Sequence, residues 1–344
     1  MTTFTDSEGM VSGSYRRQAM RPDSLRPSLY ARVLIYYWRA IVAEYGGCGP
    51  SQFCNPFEET MTAPAMKVKF WGVRGSIPAP GAATSRYGGN TSCVSVELPE
   101  KKILILDAGT GIRELGKVLA PADSGEIFVL ISHPHWDHVQ GFPFFLPIYQ
   151  PDRAIYMFPS RLNDVLMCAL VEQMDGANFP VSQAQLPSRL ECITEDEMAY
   201  LRRRGIEISR VATNHPGGGY GYRVENAGRS LVYLTDNELE PPKGMISDFD
   251  TFVEFCRRAD VLVHDAQYEE QDMPLKLGWG HSVTSQVCGL AAAAEVKHLV
   301  LYHHDPDRLD PQVDEIQAKA RRWFQERGYS IRCTAAFEGL ALEL

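Results

Sequence analysis

The chain has 344 residues, 22% of them charged and 44% hydrophobic, an ordinary balance for one large or two modest globular domains. A formal net charge of −9 argues against a sequence-independent grip on nucleic acid, although a local basic groove stays compatible with it. Eight cysteines without a CxxC pair or regular spacing suit free thiols in a reducing cytoplasm better than a disulfide framework.

Residues 1–65 differ from the rest. The first 28 mix Ser, Thr, Arg, Pro and Met with no hydrophobic period, which predicts disorder. Leu29 to Tyr45 is apolar enough for a helix, yet Arg32, Arg39 and Glu44 interrupt it and it falls short of the roughly 20 apolar residues of a membrane span. Arg39 also breaks the apolar core that a signal peptide needs. The segment reads as a poorly ordered, non-catalytic extension, or as sequence upstream of a start near Met61 or Met66, with a surface-lying amphipathic helix as the functional alternative. Residues 66–344 read as the folded domain.

In that domain Val68–Val73 is a first strand, followed by a Gly- and Pro-rich loop to Gly89. Ser92–Leu98 and Lys102–Leu106 are strands, the latter ending at Asp107, and Ile112–Leu119 is a short helix. The apolar run Ile127–Ile131 leads into Ser132-His133-Pro134-His135-Trp136-Asp137-His138, which gathers three imidazoles and a carboxylate in six positions. Neutral imidazoles and carboxylate oxygens are what a borderline divalent ion binds, and two adjacent ions can activate water. Gly141–Gln150, with two prolines, predicts a loop or broken helix, Asn163–Met174 a helix, and Phe179–Leu190 an irregular segment able to lie over a site. Further strands are expected at Ile206–Ala212, Tyr220–Val224, Ser230–Leu234, Val261–Val263, Leu299–Leu301 and Ile331–Thr334, with helices at Thr251–Ala259, Ser285–Val296 and Pro311–Arg327. Two successive β-rich halves, each with helices, predict an α/β fold of two face-to-face sheets with helices outside, a four-layer αββα sandwich. Four apolar strands run into a candidate ligand: Ile127–Ile131 into His133, Ile206–Ala212 into His215, Ser230–Leu234 into Asp236 and Leu299–Leu301 into His303. Loops after strand ends share a rim of a sheet, so these groups can converge.

The motif HPHWDH, with distant NHPGG, LTD and LYHH, resembles the metallo-β-lactamase superfamily over about residues 67–344. The resemblance implies a metallo-β-lactamase-like fold holding two divalent ions, zinc in the first instance with manganese or iron as alternatives. It implies His133, His135 and His215 on the first ion, Asp137, His138 and His303 on the second, Asp236 as the bridging carboxylate, and a metal-bridging hydroxide as nucleophile. Asp107 matches an acid that orients a ligand loop, although a simple turn-capping role fits it too. Successive residues after a strand face opposite ways, and with the family pattern this favours His303 over His304 as ligand. His264 reads as a core histidine.

Asp260–Tyr268 (DVLVHDAQY) with Gly278–Thr284 (GWGHSVT) resembles the superfamily's phosphodiesterase branch, which contains RNase Z and cyclic-phosphodiester hydrolases. There His281 matches a histidine beside the scissile phosphate, able to donate to the leaving oxygen or to a non-bridging oxygen, and Asp265 is placed to orient it. WGVRGS and RYGGNTS also resemble this branch; such loops let backbone N–H groups approach a phosphate, and ordinary tight turns have the same composition. Only twenty residues separate His215 from Asp236, where bacterial tRNA-trimming enzymes carry an added arm. With the acidic charge, this points away from tRNA and toward a small or cyclic phosphodiester. The alternative is a carboxylic-ester, lactone or thioester hydrolase on the same metal site. A metal-bound sensor or scaffold is a third reading, disfavoured by the complete ligand set. Oligomeric state has no sequence signal; the resemblance alone raises a homodimer.

Overall fold

The computed structural model describes residues 65–122, 125–151, 153–158, 160–162, 165–194 and 196–344, so the extension and its Leu29–Tyr45 helix lie outside the described residues. In chain order the strands are β1 (Lys67–Gly72), β2 (Cys93–Leu98), β3 (Lys102–Leu106), β4 (Ile127–Leu130), β5 (Ala154–Met157), β6 (Ser160–Leu162), β7 (Val165–Met167), β8 (Arg189–Cys192), β9 (Glu207–Ala212), β10 (Tyr220–Asn226), β11 (Arg229–Leu234), β12 (Val261–Asp265), β13 (His298–Tyr302), β14 (Arg332–Ala335) and β15 (Ala341–Glu343). The helices are α1 (Ile112–Leu119), α2 (Trp136–Val139), α3 (Ala169–Glu172), α4 (Glu197–Arg203), α5 (Phe249–Cys256), α6 (Thr284–Ala293) and α7 (Asp310–Glu326).

The strands form a seven-stranded sheet, β15-β1-β2-β3-β4-β5-β8, and a six-stranded sheet, β14-β13-β12-β11-β10-β9, with β6 and β7 paired separately. Alternation along each strand explains how they stack. Leu104, Leu106, Phe128 and Leu130 share one buried cluster with Val224, Tyr233, Val263 and Tyr302 of the other sheet, which makes the interior of the sandwich. Their neighbours Ile103, Ile105, Ile127 and Val129 face the other way, against Ile112 and Leu115 of α1 and Leu170 of α3. On the second sheet Val232, Leu262, Leu299 and Leu301 pack against Phe252 of α5, Val287 and Leu290 of α6, and Ile316 and Phe324 of α7. Both faces of the central strands are covered, which is why they read as unbroken apolar runs. The layers are αββα.

Two segments depart from the sequence expectation. Among the described residues of Asn163–Met174, helix forms at Ala169–Glu172 alone, while β7 pairs antiparallel with β6; the helical spacing comes from Leu170 and Met174, both buried on the first sheet's outer side. Phe179–Leu190 does not cover the site: Val181, with Phe179, Leu186 and Leu190, packs into that same outer layer. Strands β5 and β8, one on each side of that excursion, extend the first sheet in parallel with β4. None of the described helices is long and apolar enough to cross a membrane, and the six described cysteines are free.

Topology then sets the site. Strands β3, β4 and β5 run parallel, as do β11, β12, β13 and β14. Ligands in open α/β sheets bind outside the carboxyl ends of such strands. Here those ends deliver Asp107 from β3, Ser132 and His133 from β4, Asp236 from β11, Asp265 from β12 and His303 from β13.

Candidate metal centre

The seven residues expected as ligands converge. The facing nitrogens of His133 and His215 lie 2.9 and 3.0 Å from His135 Nδ1. Beside this trio, His303 Nε2 is 3.1 Å from Asp137 Oδ2 and 3.1 Å from Asp236 Oδ1, and His138 Nε2 is 3.2 and 3.3 Å from the same two oxygens. Asp236 stands between the groups: its other oxygen, Oδ2, is 3.6 Å from His133 Nε2 and 3.8 Å from His215 Nε2. One carboxylate thus presents one oxygen to each group.

The ring orientations are imposed from outside. His215 Nδ1 donates to the Gly280 carbonyl at 2.9 Å, His303 Nδ1 to Gln267 Oε1 at 2.9 Å, and His138 Nδ1 to Asp107 Oδ2 at 2.7 Å. A proton fixed on Nδ1 leaves the Nε2 lone pair pointing inward, the state a metal ligand needs. Asp107, fully buried, also accepts from the Ser132 amide and hydroxyl and from Tyr233 Oη at 2.7–2.8 Å. Asp137 Oδ2 accepts from the Ser76 amide at 2.7 Å. Backbone strain gathers here too, with φ of 62° at Asp107, 46° at Asp236, 59° at His303 and 63° at Ser76. Gly75 is required by the close approach of its loop, since a Cβ there would lie 2.4 Å from the His303 ring.

The donor set fits divalent cations. His138 Nε2 is buried without a hydrogen-bond partner although two carboxylates lie within 3.3 Å, an orphan that a cation would satisfy. Burial alone would raise Asp236, but His303, His138 and His133 outweigh it and hold its carboxyl well below the ordinary range. Burial lowers His133 and His215, the latter to about 4, so these rings are neutral at neutral pH.

Next to the cluster, His281 Nδ1 lies 2.6 Å from Asp265 Oδ2, and its ring stacks on His303 at 5.1 Å between centroids. Burial would lower His281, but Asp265 outweighs it and the ring is raised to about 9. A cavity of about 520 Å³ opens over the cluster, lined by Ser76, His135, Asp137, His215, Asp236 and His281 together with Trp136 and Trp279.

Other motif residues sit elsewhere. His304 turns away, its Nε2 2.8 Å from the Ala336 carbonyl; the left-handed φ at His303 separates the two rings. His264 is buried with Nδ1 on the Asp265 carbonyl. The RYGGNTS loop is tied down by the protein: Asn90 donates through its amide and side chain to Glu338, and buried Arg74 binds the Gly88, Asp305 and Arg308 carbonyls. Sequence reasoning missed Gln267, the Gly280 carbonyl and the Ser76 amide. Gln267 lies two positions past Asp265, and that place just beyond a strand end was the available signal.

A family model described as the beta-lactamase superfamily domain matches residues 102–304, more than half of the chain. The chain belongs to the metallo-β-lactamase superfamily. It is similar to ribonuclease Z of Thermoplasma acidophilum, 30% identical over 201 residues, which is 54% of this chain and 57% of that relative's length. It is similar to ribonuclease Z of Trichodesmium erythraeum, 25% identical over 313 residues, covering 75% of this chain and 91% of the relative. Its fold matches the metallo-β-lactamase fold protein YhfI from Bacillus subtilis with a TM-score of 0.59 at 18% identity, over 81% of this chain and 99% of that one. As a member of the superfamily the chain is a metal-dependent hydrolase with phosphodiesterase-branch relatives.

Proposed function

We propose that this hydrolase is a dinuclear phosphodiesterase acting on a small or cyclic phosphodiester. The observation that carries the reading is the His281–Asp265 pair, 2.6 Å apart, with His281 lining the same cavity as the candidate ligand cluster. His133, His135 and His215 would hold one ion, Asp137, His138 and His303 the other, with Asp236 shared between them. Two divalent ions there would acidify a water and neutralise phosphoryl oxygens. Nitrogen and oxygen donors without thiolate suit zinc, with manganese or iron as the alternatives.

The chain's own residues supply the rest. With Nδ1 committed to Asp265, His281 offers Nε2 to the cavity, where it donates a proton to the departing oxygen or a hydrogen bond to a non-bridging one. Asp265 keeps the ring in that tautomer, and its second oxygen accepts the Gln267 amide at 2.9 Å. The interval between His215 and Asp236 is filled by the β10–β11 hairpin, with no added arm, which supports a small substrate over a tRNA body. The ribonuclease Z relatives make tRNA the natural comparison substrate.

The test is the rate on bis-p-nitrophenyl phosphate, a cyclic-nucleotide panel, precursor tRNA and a p-nitrophenyl ester, for wild type and His281→Ala at matched metal content. Phosphodiester turnover should fall by about 10² to 10⁴ in the variant. Ester turnover indifferent to His281, with phosphodiesters untouched, would move the protein to the acyl hydrolases.

A further inference from the structure

Two indoles in the cavity lining are unexplained by folding or by the ligand cluster. Trp136 is 71% exposed and Trp279 is 56% exposed, yet both line the cavity over the cluster. A tryptophan left this far in water forgoes much of the free energy its burial would supply.

Trp279 is nevertheless held firmly. The buried carboxylate of Glu238 accepts the Gly278 amide at 2.8 Å and the Gly280 amide at 3.0 Å, one on each side of the indole. Both glycines have left-handed φ, 84° and 88°, and a Cβ on Gly280 would lie 2.2 Å from His215 Nδ1. Through the Gly280 carbonyl this turn also orients His215, so the indole is indexed to the cluster. The Lys276 ammonium lies 4.5 Å from the Trp279 ring centroid, a cation–π contact that further fixes the turn. Trp136 is fixed differently, between His135 and Asp137 at the start of α2.

Among the described residues none that lines the cavity is a lysine or arginine, and the nearby Lys276 is engaged on the Trp279 ring. The lining therefore lacks the groups that track a run of phosphates, while offering indole surface beside a site for one phosphodiester. We propose that Trp136 and Trp279 form a stacking platform that selects phosphodiesters bearing a heterocyclic base, that is, mononucleotide esters. The proposal rests on the phosphodiesterase reading above. Stacking uses the π face common to all bases, so the platform favours nucleotides as a class with little preference among bases.

Two substrates with one leaving group isolate the effect: thymidine 5′-p-nitrophenyl phosphate and methyl p-nitrophenyl phosphate. In the metal-loaded wild type kcat/KM should favour the nucleoside ester by about tenfold or more, and Trp279→Ala and Trp136→Ala should each cut that ratio about tenfold. Trp279→Phe should keep most of it. A ratio unchanged by both alanine variants overturns the platform and leaves the phosphodiesterase standing. If neither ester is hydrolysed, the phosphodiesterase reading fails, and a second arm still decides: quenching of tryptophan fluorescence by thymidine 5′-monophosphate, with inorganic phosphate as control. Saturable quenching whose Kd rises about tenfold in Trp279→Ala upholds the platform; no quenching, or equal quenching by phosphate, overturns it.

Discussion

The two halves of the candidate ligand cluster are built on different principles. His133, His135 and His215 come from one turn and one loop, and His135 is exposed. Asp137, His138, Asp236 and His303 are all buried, and groups reached from distant strand ends hold them: Asp107 on His138, Gln267 on His303, the Ser76 amide on Asp137. Charge divides them as well. The first group is three imidazoles, all lowered by burial, whereas the second contains two carboxylates that neighbouring histidines hold well below their usual range. One is a neutral position open to solvent at His135, the other an anionic anchor set in the core. Asp236 joins them.

The largest expected effect comes from removing that joint. Asp236→Ala takes an oxygen from each group, so kcat/KM should fall by about 10³ or more and, on the dinuclear reading proposed above, bound metal should drop from two ions per chain to one or fewer. Elemental analysis after gel filtration measures the second quantity. Retention of two ions with near-normal activity would mean that the groups are independent sites.

The unequal construction of the groups also explains what was legible in the sequence. Candidate ligand side chains are rare chemistry in dense motifs, so His133, His135, Asp137 and His138 stand out in the sequence alone, and apolar strands point to His215, Asp236 and His303. The layers were legible because strands covered on both faces read as continuous apolar runs. What holds the ligands was less legible. Gln267 reaches His303 across 36 positions, and Tyr233 reaches Asp107 across 126, by contacts that only the packed sheets create. The Gly280 carbonyl and Ser76 amide are backbone groups, carried by every residue and marked by none. Over Asn163–Met174 two correctly spaced apolar residues, Leu170 and Met174, satisfy the helical period over a single turn, so the pattern predicts more helix than the described residues form.

Asp107→Asn should be the next largest perturbation, and a selective one. Four donors converge on this carboxylate. An asparagine has one acceptor oxygen, so its amide group must face either His138 or Ser132 with hydrogens. Facing His138, it drives the imidazole proton to Nε2, the atom that faces Asp137 and Asp236. Metal affinity of the second group should fall 10- to 100-fold. The first group, touched through Ser132 alone, should lose less. Chelator titration followed by elemental analysis separates the two, and equal loss from both would erase the distinction between anchor and open position.

Gln267→Ala asks how much of the anchor depends on charge. His303 and His138 occupy comparable places, each with Nε2 toward Asp137 and Asp236, but a neutral amide holds one and a carboxylate the other. Hydrogen bonds to ionised acceptors are roughly twice as strong as those between neutral groups, and the carboxylate also makes its imidazole a more basic ligand. Loss of Gln267 leaves the His303 Nδ1–H without an acceptor in a buried place, yet removes no charge. The second group's affinity should therefore fall by about tenfold, the low end for groups behind a ligand, and by less than in Asp107→Asn under the same titration. If the two variants weaken the group equally, ring orientation alone governs affinity there. A loss in Gln267→Ala larger than in Asp107→Asn would make His303, rather than His138, the better-determined ligand of the buried group.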